Sequence, residues 1–464
     1  MKKFLFVLLS MTCFLFACKQ EENLGVDIST TAFDVKLNEN NTLRADVTAE
    51  LKSSSSYHIE YWETNNISTL HKTKPVIGAG VIHRTLIMLR PHTRYSCQLV
   101  YGDNFKTNIR EFTTGAPPDE IGHVSILVDD MPRKLPGYLL IYLRKSPGYI
   151  YMLDTRGIPV WYEPVPEGVL VANYEAKTNR LYMITKPVQN DFNEVYTGRI
   201  IKVMNLWGNV ILEKNLSELP EMTGRKAHHE CRPLPNGDVL FVTTVDKKFD
   251  LRAFGGKEDE VVTGDGFAVM DLQGNIVRQW DCFETLSPIR DSKIMSIKKD
   301  WLHANSINYD SEGNYYMTFN RSSELWKIES TTGRVLYRIG KAGTVNIPSN
   351  GFAEGMHCAN PRGVDEILVL DNARDHIHGT RALMYQVCPN YKKANLMLDS
   401  EIPKQYSTPN RGNVQLVDSD MLLFGSSVKG LILFTDRSKQ AKIWRILSLP
   451  HIFYRAEYIP FIDY

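Results

Sequence analysis

A short stretch of the sequence combines side chains that could do chemistry. Residues 300–321 read DWLHANSINYDSEGNYYMTFNR, with His303 and Asn305 two positions apart and Arg321 eighteen residues after the histidine. The pattern predicts a hairpin with a turn at DSEGN and a strand at YYMTF. Side chains two apart on a strand share a face, so His303 and Asn305 should point the same way, toward the end that carries Arg321.

Two neighbouring segments add histidines at comparable places. HHECRPLPNGDVL begins at His228, and aligning the glycine of its LPNGD turn with that of SEGN places His229 level with Asn305. Strand alternation then puts His229 on the face of His303 and His228 on the opposite face. His357, in MHCANP, opens the next segment. We expect one cluster with these members: His229, His303, Asn305, Arg321 and His357.

Such a set of side chains suggests two chemistries. Three imidazoles can hold zinc, but no carboxylate has matching spacing and a guanidinium would repel the metal. Imidazole can instead attack sulfur or phosphorus as a nucleophile, provided that hydrogen-bond donors stabilise the oxygens. The fork of an arginine matches a tetrahedral oxyanion. The set therefore favours transfer of an anionic XO₃ group, and we predict neither a metal nor a cofactor.

Repeated strands must position these residues. Six segments of roughly 40 to 60 residues each contain strands separated by turns; they open at Gly137, Arg180, His228, Trp301, His357 and Gly412. Units of four strands in radial repetition are typical of a β-propeller, whose innermost strands face the channel. We predict a six-bladed β-propeller over residues 124–464, with the last segment, HIFYRAEYIPFIDY, helping to close the ring.

A second domain is predicted upstream. Short alternating strands over residues 28–115 are typical of a small β-sandwich, and LRPHTRYSCQLVYGDNFKTNIREFTTG resembles the late strands of fibronectin type III domains. Residues 116–123, which include APPDEIG, should form a linker. The predicted fold class is therefore all-β, a six-bladed β-propeller preceded by a fibronectin-III-like sandwich.

The N-terminus predicts export and lipidation. Residues 1–17 have a basic start and an apolar run, which is typical of a signal peptide, and LFAC resembles a lipobox ending at Cys18. Residues 18–27 would be a linker. We therefore predict a lipid anchor in the bacterial outer membrane, on its periplasmic or cell-surface face. The formal net charge of +1 gives no indication of nucleic-acid binding.

The remaining cysteines show no metal or disulfide pattern. They are scattered, without a CxxC motif, and are expected to be buried free thiols: Cys97, Cys231, Cys282, Cys358 and Cys388.

Taken together, these motifs resemble those of bacterial arylsulfate sulfotransferases. The resemblance lies in DWLHANSI and its spacing to Arg321, in HHECRPLPNGDVL, and in MHCANP with a downstream LDN at 370–372. It implies an exported six-bladed propeller with a small N-terminal sandwich. It also implies transfer of a sulfuryl group from a small-molecule aryl sulfate to a histidine and then to a phenol, without a nucleotide sulfate donor. A homodimer through the sandwich domain is a separate option that the sequence leaves open.

Carried over residue by residue, the resemblance implies specific roles. His357 would be the nucleophile that becomes sulfohistidine, while His303, Asn305 and Arg321 would bind the sulfuryl oxygens. Either His303 or His229 would act as general acid or base toward the phenol oxygen. Two features of this sequence depart from the family pattern. MHCANPRG, around His357, is not a close copy of the family motif, and the close pair of cysteines that some members carry is missing.

Two alternatives stay open at this point. The same cluster could hydrolyse aryl sulfates or phosphates. Alternatively, the chain could be a non-catalytic surface lipoprotein with a ligand-binding propeller and structural histidines. The DW-H-NS motif with its spaced arginine favours the transferase, because a binding propeller does not need it.

Overall fold

The computed structural model describes residues 32–188 and 197–464, which form two compact units. The first unit comprises the described residues of Met1–Val35, Thr48–His83 and Tyr95–Glu111. The second comprises Lys36–Val47, Arg84–Arg94 and Phe112–Tyr464. The described residues contain 32 strands and two four-residue α-helices, so the all-β prediction is confirmed. The predicted signal peptide, lipobox and first linker lie outside the described residues.

Seven N-terminal strands form one sheet. They are β1 (Phe33–Leu37), β2 (Ala45–Glu63), β3 (Asn66–Lys72), β4 (Val76–Leu86), β5 (Arg94–Tyr101), β6 (Phe105–Lys106) and β7 (Arg110–Thr113). The order is β1-β2-β5-β6, with β3 and β4 paired to β2 and β7 to β5. Val47, Ala49 and Leu51 are buried at alternate places along β2, as expected of a strand with one core face. The fibronectin-III-like sandwich stays a prediction.

Helix α1 (Asp119–Gly122) lies in the predicted linker, and α2 (Ile294–Ile297) follows much later in the chain. The strands of the next part are β8 (Ser125–Asp129), β9 (Tyr138–Leu143), β10 (Gly148–Asp154), β11 (Pro159–Val165), β12 (Val169–Glu175), β13 (Arg180–Val188), β14 (Thr197–Asn205), β15 (Val210–Asn215), β16 (Ala227–Pro233), β17 (Val239–Phe249), β18 (Glu260–Met270) and β19 (Ile276–Asp281).

The remaining strands are β20 (Ala304–Tyr309), β21 (Tyr315–Phe319), β22 (Glu324–Ile328), β23 (Val335–Ile339), β24 (Met356–Gly363), β25 (Glu366–Asp371), β26 (Arg381–Val387), β27 (Ala394–Glu401), β28 (Asn413–Leu416), β29 (Leu422–Ser426), β30 (Leu431–Thr435), β31 (Ile443–Ser448) and β32 (Ala456–Ile459). Short 3₁₀ helices lie at Leu216–Glu218, Pro220–Met222, Arg252–Phe254, Cys282–Glu284, Pro288–Arg290, Ser349–Gly351, Lys404–Tyr406 and Ser427–Lys429. No described helix has the length and apolarity needed to cross a membrane.

Antiparallel sheets built from four-stranded groups give the second unit a β-propeller-like arrangement. Three sheets have four strands, in the orders β20-β21-β22-β23, β24-β25-β26-β27 and β11-β10-β9-β32. An eight-stranded sheet contains β12 to β19, in which β14 and β16 are joined by only two residue pairs, Thr197 with His228 and Gly198 with Ala227. The count of six blades stays a prediction.

Both ends of the second unit complete a sheet formed elsewhere in the chain. The late strand β32 pairs with β9, and the early strand β8 pairs with β31. The first repeat therefore supplies only three strands of its sheet. The sequence prediction was wrong about the second repeat, which opens with β12 at Val169 and not at Arg180. VLVANYE is buried almost throughout, so no alternation marks it as a separate opening strand.

Side-chain amides join the opening strand of one four-stranded group to that of the next group. At four junctions an asparagine Nδ2 donates to a backbone carbonyl across the junction, at 2.7 to 2.8 Å. The pairs are Asn173 with Cys231, Asn305 with Met356, Asn360 with Val414, and Asn413 with Ala456. Buried backbone carbonyls need such partners, so these bonds fix how neighbouring sheets approach.

Removing one of these amides should destabilise the second unit. Asn413 also accepts from the backbone N–H of Ala456 at 3.0 Å, so Asn413→Ala leaves two buried backbone groups without partners. We expect a loss of about 2 to 4 kcal/mol in the free energy of unfolding. Urea denaturation followed by tryptophan fluorescence measures it. Asn395→Ala, which truncates an exposed asparagine of β27, is the matched control; an equal effect of both would contradict the assignment.

Candidate active site

Three consecutive opening strands carry an unusual backbone at the point where the histidines lie. His229, His303 and Cys358 have φ values of 55°, 59° and 56°, in the left-handed region that residues other than glycine rarely adopt. His229 lies in a bulge of β16, Cys358 lies in a bulge of β24 directly after His357, and His303 directly precedes β20. Strained backbone of this kind clusters at functional sites.

The structure brings His229 and His303 together. Their ring centroids are 5.2 Å apart, and the ring of Tyr454 is 5.6 Å from that of His229. His228 does not lie on an opposite face, because the left-handed backbone at His229 breaks the strand alternation. Its Nδ1 lies 2.7 Å from Nδ1 of His229, and the prediction that separated the two rings was wrong. His229 contacts the cluster, and His228 lies behind it.

His357 is held as a neutral imidazole with a defined tautomer. It is buried, and burial lowers its pKa to about 3, with a further decrease from the positive charge of Arg455. Its Nδ1 faces two carbonyl oxygens, Oδ1 of Asn372 and the backbone oxygen of Gly355 at 3.2 Å. The amide Nδ2 of Asn320 also lies 3.1 Å from Nδ1, but the two carbonyl oxygens can only accept a hydrogen bond, so we assign the proton to Nδ1. Nε2 therefore keeps its lone pair, as a nucleophile requires.

His303 and Arg321 are joined through one carboxylate. Oδ2 of Asp300 lies 2.8 Å from Nδ1 of His303 and accepts from a terminal nitrogen of Arg321 at 3.0 Å. Nε of Arg321 also donates to the backbone oxygen of Asp300 at 2.9 Å. Burial raises the pKa of Asp300, but the bonds from His303 and Arg321 outweigh it and hold that pKa below its ordinary value. Asp300 therefore orients both predicted site residues.

Asn305 is fully buried and already bonded on both ends of its amide. Its Nδ2 donates to the backbone oxygen of Met356, and its Oδ1 accepts from Oγ1 of Thr318 at 2.6 Å. In this arrangement Asn305 joins β20 to β24 and helps to position His303 and His357. Direct contact of its amide with substrate oxygens stays a prediction.

Guanidinium groups surround the imidazoles. The Cζ atoms of Arg144 and Arg455 lie 4.6 Å and 5.0 Å from the centroid of the Tyr454 ring, within the range of cation–π attraction. Arg455 is buried and pairs with Glu230. Burial holds the pKa of His229 well below its ordinary value, and repulsion of a protonated ring by its neighbours, among them His228 and Arg144, adds to the decrease. Arg144 and Arg455 thus lie beside the imidazoles, with Arg455 paired to Glu230.

Sequence reasoning missed several residues that complete the site. Asn320, Asn372 and Arg374 surround His357: Nδ2 of Asn320 lies 3.1 Å from its Nδ1, and Arg374 donates to Oδ1 of Asn320 at 2.8 Å. Asp300 and Asn372 stand inside the DWLHANSI and LDN motifs, so the motifs themselves contained the signal. Nothing in the sequence pattern marks Arg374 or Asp265.

The described cysteines are free, as predicted, and four of the five are buried. No three His, Cys, Asp or Glu side chains within 32–188 and 197–464 group in a way that could hold a metal ion.

The fold and the site together define a class of protein. Propeller-like sheets bury neutral imidazoles, one with a free Nε2, among arginines that favour an anion. Such side chains could serve the transfer of an anionic group. A family model described as Arylsulfotransferase (ASST) matches residues 126–352, and this match confirms the family resemblance. It supports arylsulfotransferase activity in general.

The matched range includes His229, His303, Asn305 and Arg321 and ends at residue 352, five residues before His357. No curated protein is significantly similar to this chain.

Three solved structures illustrate how distant the structural matches are. A protein of unknown function from Bacteroides caccae is 13% identical, covers 70% of this chain and 99% of its own, and has a TM-score of 0.45. One from Bacteroides thetaiotaomicron is 11% identical over 92% of this chain and 98% of its own, with a TM-score of 0.38. The β-propeller domain of Myceliophteria thermophila Cps50 (Swd1) is 11% identical, and the match covers 70% of this chain and 90% of that domain, with a TM-score of 0.39.

The buried state of His357 should appear in the pH dependence of stability. A histidine with a pKa of about 3 in the fold and an ordinary value when unfolded stabilises the fold fully above pH 6.5, and this contribution falls as the pH is lowered. Between pH 7.5 and 5 wild type should lose about 2 kcal/mol more stability than His357→Gln. Urea denaturation at both pH values measures the difference, with His378→Gln, at an exposed histidine, as the control. Parallel losses in wild type and His357→Gln would contradict a buried neutral imidazole.

Proposed function

We propose that this protein is an arylsulfate sulfotransferase that moves a sulfuryl group from an aryl sulfate to a phenolic acceptor through a sulfohistidine at His357. The observation that carries the proposal is the state of this imidazole. It is neutral, its Nδ1 proton is directed at Asn372 and Gly355, and its Nε2 keeps a lone pair. No nucleotide sulfate donor is required.

In the donor half-reaction, Nε2 of His357 attacks the sulfur and the bond between sulfur and the aryl oxygen breaks. The electron pair of that bond leaves with the phenolate, which takes up a proton. Asn372 stabilises the developing positive charge on the imidazole, because its Oδ1 accepts from Nδ1. The carbonyl orientation is fixed, since Nδ2 of Asn372 donates to the backbone oxygens of Thr408 and Arg411 at 2.6 and 2.9 Å.

In the acceptor half-reaction, a phenol loses its proton and its oxygen attacks the sulfur held on His357. The bond between sulfur and nitrogen breaks, and the imidazole returns to its neutral form. His303 and His229 are the candidate groups for this proton transfer, since their rings are adjacent and Asp300 orients His303 through Nδ1. A general base of this kind contributes about 10²- to 10⁴-fold to a rate.

Two guanidinium groups are in reach of the sulfuryl oxygens. Arg321 bonds to Asp300, and Arg374 bonds to Asn320 beside His357. Burial lowers the pKa of Arg374, the charge of Glu354 raises it, and the positive charge of Arg321 lowers it. An oxyanion bound there would relieve this repulsion.

The membrane anchor is a separate proposal. We infer from the lipobox-like LFAC that Cys18 carries the lipid that attaches the exported protein to the outer membrane. Cys18→Ala should release the protein into the soluble fraction without changing its activity. Membrane fractionation with and without this substitution tests the anchor, and continued membrane attachment would contradict it.

His357→Ala should abolish transfer, because the substitution removes the nucleophile, and the variant should still fold although the buried imidazole and its hydrogen bonds to Gly355 and Asn372 are lost. Release of a coloured phenol from an aryl sulfate, with and without a second phenol, measures the activity. His378→Ala is the matched control at an exposed histidine and should keep wild-type rates. A folded and fully active His357→Ala variant would exclude the sulfohistidine, and release into water without an acceptor would favour a hydrolase.

Arg321→Lys should lower the transfer rate by at least about tenfold, because an ammonium group cannot reproduce the fork that holds Asp300 and faces the oxygens. The same coloured-phenol assay gives the rate. Arg334→Lys, at an exposed arginine in the turn between β22 and β23, is the control and should behave as wild type. Near-normal rates for Arg321→Lys would remove Arg321 from the site.

A further inference from the structure

Behind His229 lies a line of two more titratable side chains that the transfer described above does not use. Nδ1 of His228 is 2.7 Å from Nδ1 of His229, and Nε2 of His228 is 3.5 Å from Oδ1 of Asp265. His228, His229 and Asp265 are buried, with exposed fractions of 0%, 6% and 2%. The line leads from the histidine cluster on β16 to β18, which lies two strands further along the same sheet.

Two polar atoms along this line have no hydrogen-bond partner within the described part of the chain, Nε2 of His228 and Oδ2 of Asp265. Buried polar atoms without partners are rare and destabilising, so two of them along one line of side chains indicate a function that offsets this cost. The distance of 3.5 Å is longer than a hydrogen bond. A shift of about half an ångström would form one.

Charged groups face this line from each element packed against it. Asp300 and His303 approach from the segment before β20, and Arg144 approaches from the segment after β9. Burial and the charge of Asp300 raise the pKa of Asp265 to about 7, although the backbone N–H groups of His303 and Ala304 act against this. Both protonation states of this carboxyl are therefore accessible near neutral pH.

The pKa of His228 moves in the opposite direction. Burial and the charge of His303 lower it to about 3. Each imidazole of the line therefore carries one proton, which can sit on either nitrogen.

We propose that Asp265, His228 and His229 form a proton relay that serves the phenol oxygen, an inference that rests on the proposed sulfuryl transfer. In the basic form, Nε2–H of His228 donates to the Asp265 carboxylate and Nδ1–H of His229 donates to Nδ1 of His228. Nε2 of His229 then has a lone pair. In the acidic form, Asp265 carries the proton, Nδ1–H of His228 donates to Nδ1 of His229, and Nε2 of His229 is protonated.

The protons balance over one catalytic cycle. When the bond between sulfur and the aryl oxygen breaks, the phenolate takes the proton from Nε2 of His229. The proton on Nδ1 of His228 moves to Nδ1 of His229, and that of Asp265 moves to Nε2 of His228. Each transfer runs in reverse when the acceptor phenol gives up its proton. One proton leaves the relay and one returns, so no further reactant is required.

Asp265→Asn tests the relay, because the amide has the shape of the carboxyl and keeps an oxygen for the backbone N–H groups but cannot exchange a proton. Two donors are compared in the first turnover, phenyl sulfate, whose phenolate needs a proton, and 4-nitrophenyl sulfate, whose phenolate leaves without one. We expect about a hundredfold loss with phenyl sulfate. With 4-nitrophenyl sulfate we expect a loss of less than about threefold. Asp246→Asn, at an exposed carboxylate of β17 that accepts from Thr263, is the control.

Each outcome decides the proposal. Equal slowing with both donors, or slowing with neither, would overturn it. His228→Gln interrupts the same line and must reproduce the selective loss, which keeps the test valid if Asp265→Asn does not fold.

If wild type releases phenol from neither donor, the proposed function has failed, and the relay is judged separately. ¹⁵N spectra of histidine-labelled protein near pH 7 should then show that Asp265→Asn changes the tautomers of His228 and His229. Unchanged ¹⁵N shifts would overturn the relay.

Discussion

The approach of neighbouring sheets in the second unit depends on amide side chains that hydrogen-bond across each junction. Asn305 shows the consequence most clearly. Its Nδ2 donates to the backbone carbonyl of Met356, the residue directly before His357, while the backbone carbonyl of Asn305 accepts from Arg455 at 2.7 Å. One buried asparagine thus sets the separation between β20 and β24 and with it the distance between His303 and His357. Because such bonds leave little freedom, the first residues of these strands are held in one place.

Burial and charge then decide the chemistry of the cluster. Imidazoles removed from water and surrounded by arginines are disfavoured as cations, so His229 and His357 stay neutral, with a lone pair to offer. Asp300 is treated differently, because bonds from His303 and Arg321 keep it ionised despite burial. The site thus separates a neutral imidazole, the proposed nucleophile, from an ion-paired group that orients its neighbours. This division matches a reaction in which negative charge arrives with the substrate.

Much of this could be predicted from the sequence, and the failures have physical causes. Repeated apolar strands with glycine turns predicted the all-β class. The corresponding positions of His229, His303 and His357 in three segments predicted a shared candidate site. Alternation failed at His228, because a residue with left-handed backbone does not follow the two-residue period. The predicted start of the second repeat was one strand too late, because β12 is buried on both faces and shows no alternation. Asp265 and Arg374 reach the site only through tertiary contacts, which no local spacing encodes.

The most direct measurement is the mass of the peptide that contains His357, after the protein has been incubated with an aryl sulfate in the absence of a phenol acceptor. The account predicts that this peptide gains one SO₃ group, and that adding a phenol removes it and yields the new aryl sulfate in equal amount. Phenol release with no SO₃ on His357, or with SO₃ on a different residue, would contradict the account.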